Sequence, residues 1–263
     1  MISGSYARSR GNPVKLVTRS LLPALIASAL ASPSAIAQEA KGKNDEKAMA
    51  VLKGMSDYLA GAPSVSFRAR TFYDVVQESG IKIKVGRMVR ARLRRPDRLQ
   101  ATAIRDDGDA TTVWFDGAQF TVWRRAANQT MNLKLSGTTD QLIDALVEKH
   151  EVQLPLADLL YSNVNETFSK DMVSSEYLGL REVDGVPCHH LSFESTGADW
   201  QIWIEADATP VPRRFAIDFV TQDHQPQFFA QLDAWSVGGE IEDYHFKAAV
   251  PEGVEDVPFP AKT

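Results

Sequence analysis

Residues 64–94 read SVSFRARTFYDVVQESGIKIKVGRMVRARLR, and their alternation decides the fold. Val65, Phe67, Ala69, Thr71, Tyr73 and Val75 fall on one side of an extended chain, and Ser66, Arg68, Arg70 and Asp74 on the other. Glu78-Ser79-Gly80 turns the chain. The alternation then resumes, with Ile81, Ile83, Val85, Val89, Ala91 and Leu93 against Lys82, Lys84, Arg90, Arg92 and Arg94. A period of two marks β-strands, because successive side chains point to opposite faces. Two successive strands with one apolar and one basic face form a hairpin that covers something on one side only.

C-terminal to this hairpin, Arg95-Pro96-Asp97 reads as a turn, and Leu99–Arg105, Thr111–Phe115, Phe120–Trp123 and Met131–Leu135 as further strands, with Asp116-Gly117 as a hairpin signal. The period becomes helical over Thr138–His150, where Leu142, Ile143, Leu146 and Val147 cluster, and Pro155–Leu160 reads as a second short apolar helix. Strands return at 174–181, 187–195, 200–205, 214–220 and 227–237, and a Pro-rich acidic tail follows Val250. N-terminal to the hairpin, Asn44 or Asp45 caps a helix reaching Leu59, with Ala48, Val51, Leu52, Met55 and Leu59 on one face. No βαβ alternation occurs, which argues against a doubly wound nucleotide fold. The expected fold is α+β and mainly β: a strongly curved antiparallel sheet, an unclosed β-barrel, with helices covering its concave face.

The first 37 residues differ from the rest. Arg8, Arg10, Lys15 and Arg19 form a basic region without acids, Leu21–Leu30 is a short apolar run, and Ala35-Ile36-Ala37 offers small residues for cleavage. This is the pattern of a secretory signal peptide over 1–37, followed by a single domain over 38–263. The apolar run is too short to span a bilayer stably. No cysteine near the cleavage point offers a lipid attachment site, so the expected product is a soluble periplasmic domain with no integral membrane segment. Removing 1–37 moves the formal charge from −5 to −9, which argues against nucleic acid as a partner.

The chemistry-bearing motifs are sparse. Cys188, His189 and His190 are adjacent, but only Cys188 and His190 share a strand face, and a structural zinc site needs four ligands. The sequence contains no Gly-rich phosphate loop, HExxH or GxSxG motif. No catalytic residue, metal or cofactor is therefore assigned. Charge is uneven: residues 64–105 hold eleven cations against three anions, and residues 151–263 hold twenty anions against six cations. Arg68, Arg70, Lys82, Lys84, Arg90, Arg92 and Arg94 form a basic outer face that suits an acidic partner.

Arg95-Pro96, the Asp116-Gly117 turn leading to Phe120-Thr121-Val122-Trp123, Asn128-Gln129-Thr130 and the late Pro251-Glu252-Gly253-Val254 together resemble the LolA/LolB-like superfamily of periplasmic lipoprotein carriers. The resemblance spans most of residues 45–260 and is nearest to a group of predicted periplasmic proteins within that superfamily. It implies a hydrophobic cavity under a helical lid, with Arg95 holding the lid closed. The Cys188-His189-His190 strand is a departure from the carriers. The expected function is non-enzymatic binding of a lipid or acylated protein. Strand and helix parity gives Phe67, Tyr73, Ile83, Val89, Leu93, Leu142, Ile143, Leu146, Leu156, Leu160, Phe193 and Phe215 as cavity residues. The alternative is an envelope sensor or interaction domain docking an acidic envelope protein through the basic face.

Overall fold

The computed structural model of the chain describes residues 44–150 and 156–259. The signal peptide expected over 1–37, the domain start at 38–43 and Pro155 lie outside the described residues. Helix α1 spans Glu46–Ala60. Asp45 caps it, its carboxylate accepting the backbone N–H groups of Lys47 (2.8 Å) and Ala48 (3.1 Å). Ala48, Leu52, Met55 and Leu59 are fully buried along one stripe, and Pro63 follows soon after the helix ends.

Strands β1 (Ser64–Val76), β2 (Lys82–Arg94), β3 (Arg98–Arg105), β4 (Ala110–Phe115), β5 (Gln119–Arg124) and β6 (Gln129–Lys134) form an antiparallel meander. Helix α2 (Thr139–His150), a 3₁₀ turn at Ala157–Leu160 and helix α3 (Val164–Ser169) follow. Strands β7 (Met172–Val183), β8 (Val186–Ser195), β9 (Asp199–Glu205), β10 (Pro212–Asp218) and β11 (Gln227–Val237) make a second meander. The two join where β1 pairs with β11. A two-residue strand β12 (Glu255–Asp256) lies parallel to β6. The result is one unclosed, curved sheet in the order β12-β6-β5-β4-β3-β2-β1-β11-β10-β9-β8-β7.

The helices cover one face. Phe67, Leu93, Phe115, Leu191, Phe193, Ile202 and Phe215 from the strands share a buried cluster with Leu52, Met55, Leu142, Ile143, Leu146, Leu160 and Phe168 from the helical segments. Long one-sided strands require such cover, since an apolar face left in water gains nothing from folding.

Two expectations change. Ile81 precedes β2 and is 65% exposed, and Ile83 is 48% exposed, so the alternation outlasts the cover at the hairpin tip. Residues 157–160 form a 3₁₀ turn rather than an α-helix, and the helix lies instead at 164–169. The tail also does more than end the chain. After β11 it crosses the outer face, where Arg94 donates to the Ile241 carbonyl (3.0 Å) and pairs with Asp243. Phe246 is buried beneath the same guanidinium. The tail then reaches β6, and Phe259 packs against Phe120 and the His150 ring at the end of α2.

Candidate lid and inner face

The turn between β2 and β3 is where the helical cover meets the sheet. Arg95 donates through Nη1 to the Leu160 carbonyl (3.0 Å) and through Nη2 to the Tyr161 carbonyl (2.9 Å), with a longer contact to the Leu59 carbonyl (3.5 Å). One guanidinium thus touches the end of α1 and the 3₁₀ turn together. Its planar fork suits this geometry, which a lysine point charge would not reproduce. Burial lowers the Arg95 pKa, while the nearby Asp140 carboxylate opposes that shift. The next residue also contributes: the Pro96 carbonyl accepts the Thr139 N–H at the start of α2 (2.8 Å).

Two carboxylates of α2 complete the junction. Asp144 accepts the Tyr161 hydroxyl (2.8 Å), and Asp140 accepts the Ser162 N–H (3.1 Å) and its hydroxyl. Burial, followed by Asp144, pushes the Tyr161 phenol up, so it stays a donor. Beneath these polar contacts the interface is apolar, with Leu142, Ile143, Leu146, Leu159, Leu160 and Val164 all buried. Helix α2 and residues 156–169 are therefore pinned at their rim by hydrogen bonds and seated on hydrocarbon.

Asp158 lies in this segment, and burial alone raises its carboxyl to about 6. Its folded-state pKa is above the unfolded value, so its contribution is most favourable below about pH 4 and is lost as pH rises through 6. Asp158→Asn should stabilise the protein by about 2 kcal/mol at pH 7 and leave it nearly unchanged at pH 4. Urea unfolding at the two pH values measures this, and an equal effect at both would refute it.

Most of the residues expected to line a cavity are packed together, and none of them lines either of the two hollows at Phe72. Phe67, Leu93, Leu142, Ile143, Leu146, Leu160, Phe193 and Phe215 are buried in one cluster, with Tyr73, Val89 and Leu156 partly buried against it. Ile83 stands outside it at the exposed hairpin tip. Phe193 stacks on Trp200 at 3.9 Å, and Trp200 in turn meets Phe168 of α3 and Phe215. Two hollows of about 350 and 150 Å³ share Phe72, the larger beside Lys84, Gln201 and Phe229 and the smaller beside Arg70, Arg87 and Arg105.

The basic face is partly neutralised by its own chain. Arg68 makes a bidentate pair with Asp233 (2.6 and 2.7 Å), Lys82 and Lys84 approach Asp74, and Arg94 pairs with Asp243. Arg92 donates to Gln100 (2.8 Å). Arg70 and Arg90 are exposed and form no ion pair among the described residues.

The Cys-His-His strand is built into the sheet. Cys188 is fully buried, and burial, then Glu205, pushes its thiol up to about 11, far from a reactive thiolate. His189 shares a hydrogen bond with the Tyr177 hydroxyl (2.9 Å), whereas His190 stacks on Trp203 and bonds Gln201 (2.9 Å). Burial lowers the pKa of both imidazoles.

The family model described as predicted periplasmic protein (DUF2092) matches residues 48–260. The chain belongs to that family. It is a periplasmic protein, in accord with the resemblance carried by Arg95-Pro96 and Asp116-Gly117. Among the described residues of this DUF2092 member, no helix is long and apolar enough to cross a membrane. No curated protein matches the chain. Similar solved structures include an uncharacterized conserved protein from Thermus thermophilus, at 10% identity over 81% of this chain and 99% of its own, with a TM-score of 0.47. The lipoprotein LppX from Mycobacterium tuberculosis is 17% identical over 73% and 96%, TM-score 0.43. The LolA superfamily protein NE2245 from Nitrosomonas europaea is 11% identical over 76% and 97%, TM-score 0.34. At these scores the likenesses carry no functional argument.

Sequence reading missed Asp140, Asp144, Tyr161 and Ser162. The two aspartates have the spacing of an ordinary solvated helix face, and nothing local reveals that their partners lie 17 to 22 residues later.

Proposed function

We propose that this periplasmic protein is a non-enzymatic binder that holds the acyl chain of a lipid or acylated protein between the inner sheet face and the helical cover formed by residues 139–150 and 156–169. The observation behind this reading is the character of that junction: an apolar seat fastened at its rim by Arg95, Asp140 and Asp144. Releasing the rim exposes Leu142, Ile143, Leu146, Leu156, Leu159 and Leu160, and an acyl chain can replace the contacts they lose. Each methylene buried contributes about 0.8 kcal/mol, enough for a long chain to offset the separation. No step of bond chemistry is needed, and the buried, protonated Cys188 suits a structural role.

An acidic envelope protein docking on Arg70 and Arg90 is the alternative, and its binding would weaken steeply with salt. Native mass spectrometry of the protein purified from periplasm, before and after organic extraction, tests the main reading. The expected result is a lipid-sized adduct that extraction removes. A protein that carries no adduct and takes up no fluorescent fatty acid afterwards refutes it.

A further inference from the structure

One cation on the helix-covered side of the sheet has no counter-charge. Arg87 lies on β2 between Val85 and Val89, opposite Thr71 on β1 and Arg105 on β3. The register runs unbroken along β1 and β2, so Arg87 shares its face with Phe67, Tyr73, Val89 and Leu93. Its contacts agree: Nη2 donates to the Tyr73 hydroxyl (3.0 Å), and the guanidinium stands over the Tyr73 ring at 5.0 Å. Tyr73 itself packs against the buried cluster.

The guanidinium is left incomplete. Its Nε is buried and has no hydrogen-bond partner. No carboxylate pairs with it among the described residues, whereas Arg105 opposite has Asp107 (2.5 Å) and Asp109 (4.0 Å). Like charges directly opposite on neighbouring strands oppose pairing unless something compensates them. Arg68 and Arg90 are also opposite each other, but there Asp233 neutralises Arg68 on the solvated outer face. Asp107 and Asp109 likewise compensate Arg105, so what is left over is the Arg87 fork itself, with a buried Nε and no carboxylate partner among the described residues. A guanidinium fork matches a carboxylate or phosphate in geometry and charge, and it gains most where water is partly excluded.

We propose that Arg87, oriented by Tyr73, is the anion-binding end of the inner-face site, so that the ligand is an anionic amphiphile with its carboxylate or phosphate on the Arg87 fork and its chain along Val89, Phe67 and Leu93. This rests on the acyl-binding reading above. Arg87 and Leu93 are separated by roughly 20 Å of strand, which gives a long chain an apolar track from the headgroup to the Arg95 junction. The charged end thus lies midway along β2, and the lid fastening just beyond that strand's last residue.

Calorimetric titration of the periplasm-purified, extracted protein with hexadecanoate, hexadecyl phosphate and hexadecanol tests this. Both anions should bind about tenfold more tightly than the alcohol. Arg87→Gln should reduce the anions to the affinity of the alcohol and leave the alcohol unchanged. The tighter of the two anions identifies the headgroup as a fatty acid carboxylate or a lipid phosphate. Should Arg87→Gln not fold, Arg87→Lys serves instead, with an expected several-fold loss confined to the anions. Equal binding of anions and alcohol by the wild type, or a preference left undiminished in whichever variant is measured, overturns the proposal while acyl binding stands. Failure of all three compounds to bind overturns the acyl-binding reading itself.

Discussion

Arg95→Ala should raise amide exchange across residues 157–169 about a hundredfold while leaving β3–β6 nearly unchanged. Two strong bonds run from the guanidinium to the carbonyls of Leu160 and Tyr161, with a weaker one to Leu59. Hydrogen bonds from a charged donor contribute about 1.5–3 kcal/mol each. Part of that is offset, because burying the guanidinium is costly and its Nε has no partner. A net loss of about 3 kcal/mol remains, and it is local because every acceptor belongs to α1 or to the segment after α2. Arg95→Lys should recover only part of it, since an ammonium cannot reach both carbonyls as a planar fork. Hydrogen exchange read by mass spectrometry separates the two regions. If the sheet and the segment 157–169 accelerate equally, Arg95 is a general stabiliser and not a fastening for the lid.

Phe193→Ala should cost about 4 kcal/mol of global stability. Phe193 is 2% exposed and stacks on Trp200, its cross-strand neighbour on β9. Trp200 carries Phe168 of α3 and touches Phe215. Removing the ring therefore leaves a void under α3 as well as losing transfer energy, and a stacked aromatic pair adds about 1 kcal/mol. Phe193→Leu keeps most of the volume and should cost less than half as much. Urea denaturation gives both values. A cost below about 1 kcal/mol for the alanine variant would mean that the stack does not support α3.

The contrast between what could and could not be read in advance follows from range. Alternation in β1 and β2 is local, and so is the stripe of α1; each was legible in the sequence, as was a cap at Asn44 or Asp45, which the structure resolves to Asp45. So was the Asp116-Gly117 hairpin, where Asp116 accepts the N–H groups of Ala118 (3.0 Å) and Gln119 (2.8 Å). Alternation does not reveal where the covering helices stop, which is why Ile83 reads as interior and lies in solvent. Nor does composition reveal neutralisation. Arg68 finds Asp233 at a separation of 165 residues, and Arg94 finds Asp243 at 149. Strand β12 has two residues, too few for any period to register. At the candidate site, the apolar seat was legible as helix and strand faces. The rim was not, because its bonds end on main-chain carbonyls and on aspartates that look solvated. Arg87 was visible as a cation, but only its placement beside Tyr73 sets it apart from the others.

The junction of β1 with β11 has a consequence for how the chain assembles. Every other antiparallel pairing joins strands adjacent in sequence, so each meander can form by short-range closure as soon as its residues are available. The β1–β11 seam must wait for the last long strand, and until then β1 offers an unpaired edge beside an apolar surface. Such an edge recruits strands from other molecules. Arg68, Arg70 and Asp74 place charge along it, a deterrent to foreign strands, and Asp233 and Gln227 on β11 supply partners that select the native register. The greatest hazard to this protein is thus one of timing: the interval between the appearance of β1 and the arrival of β11.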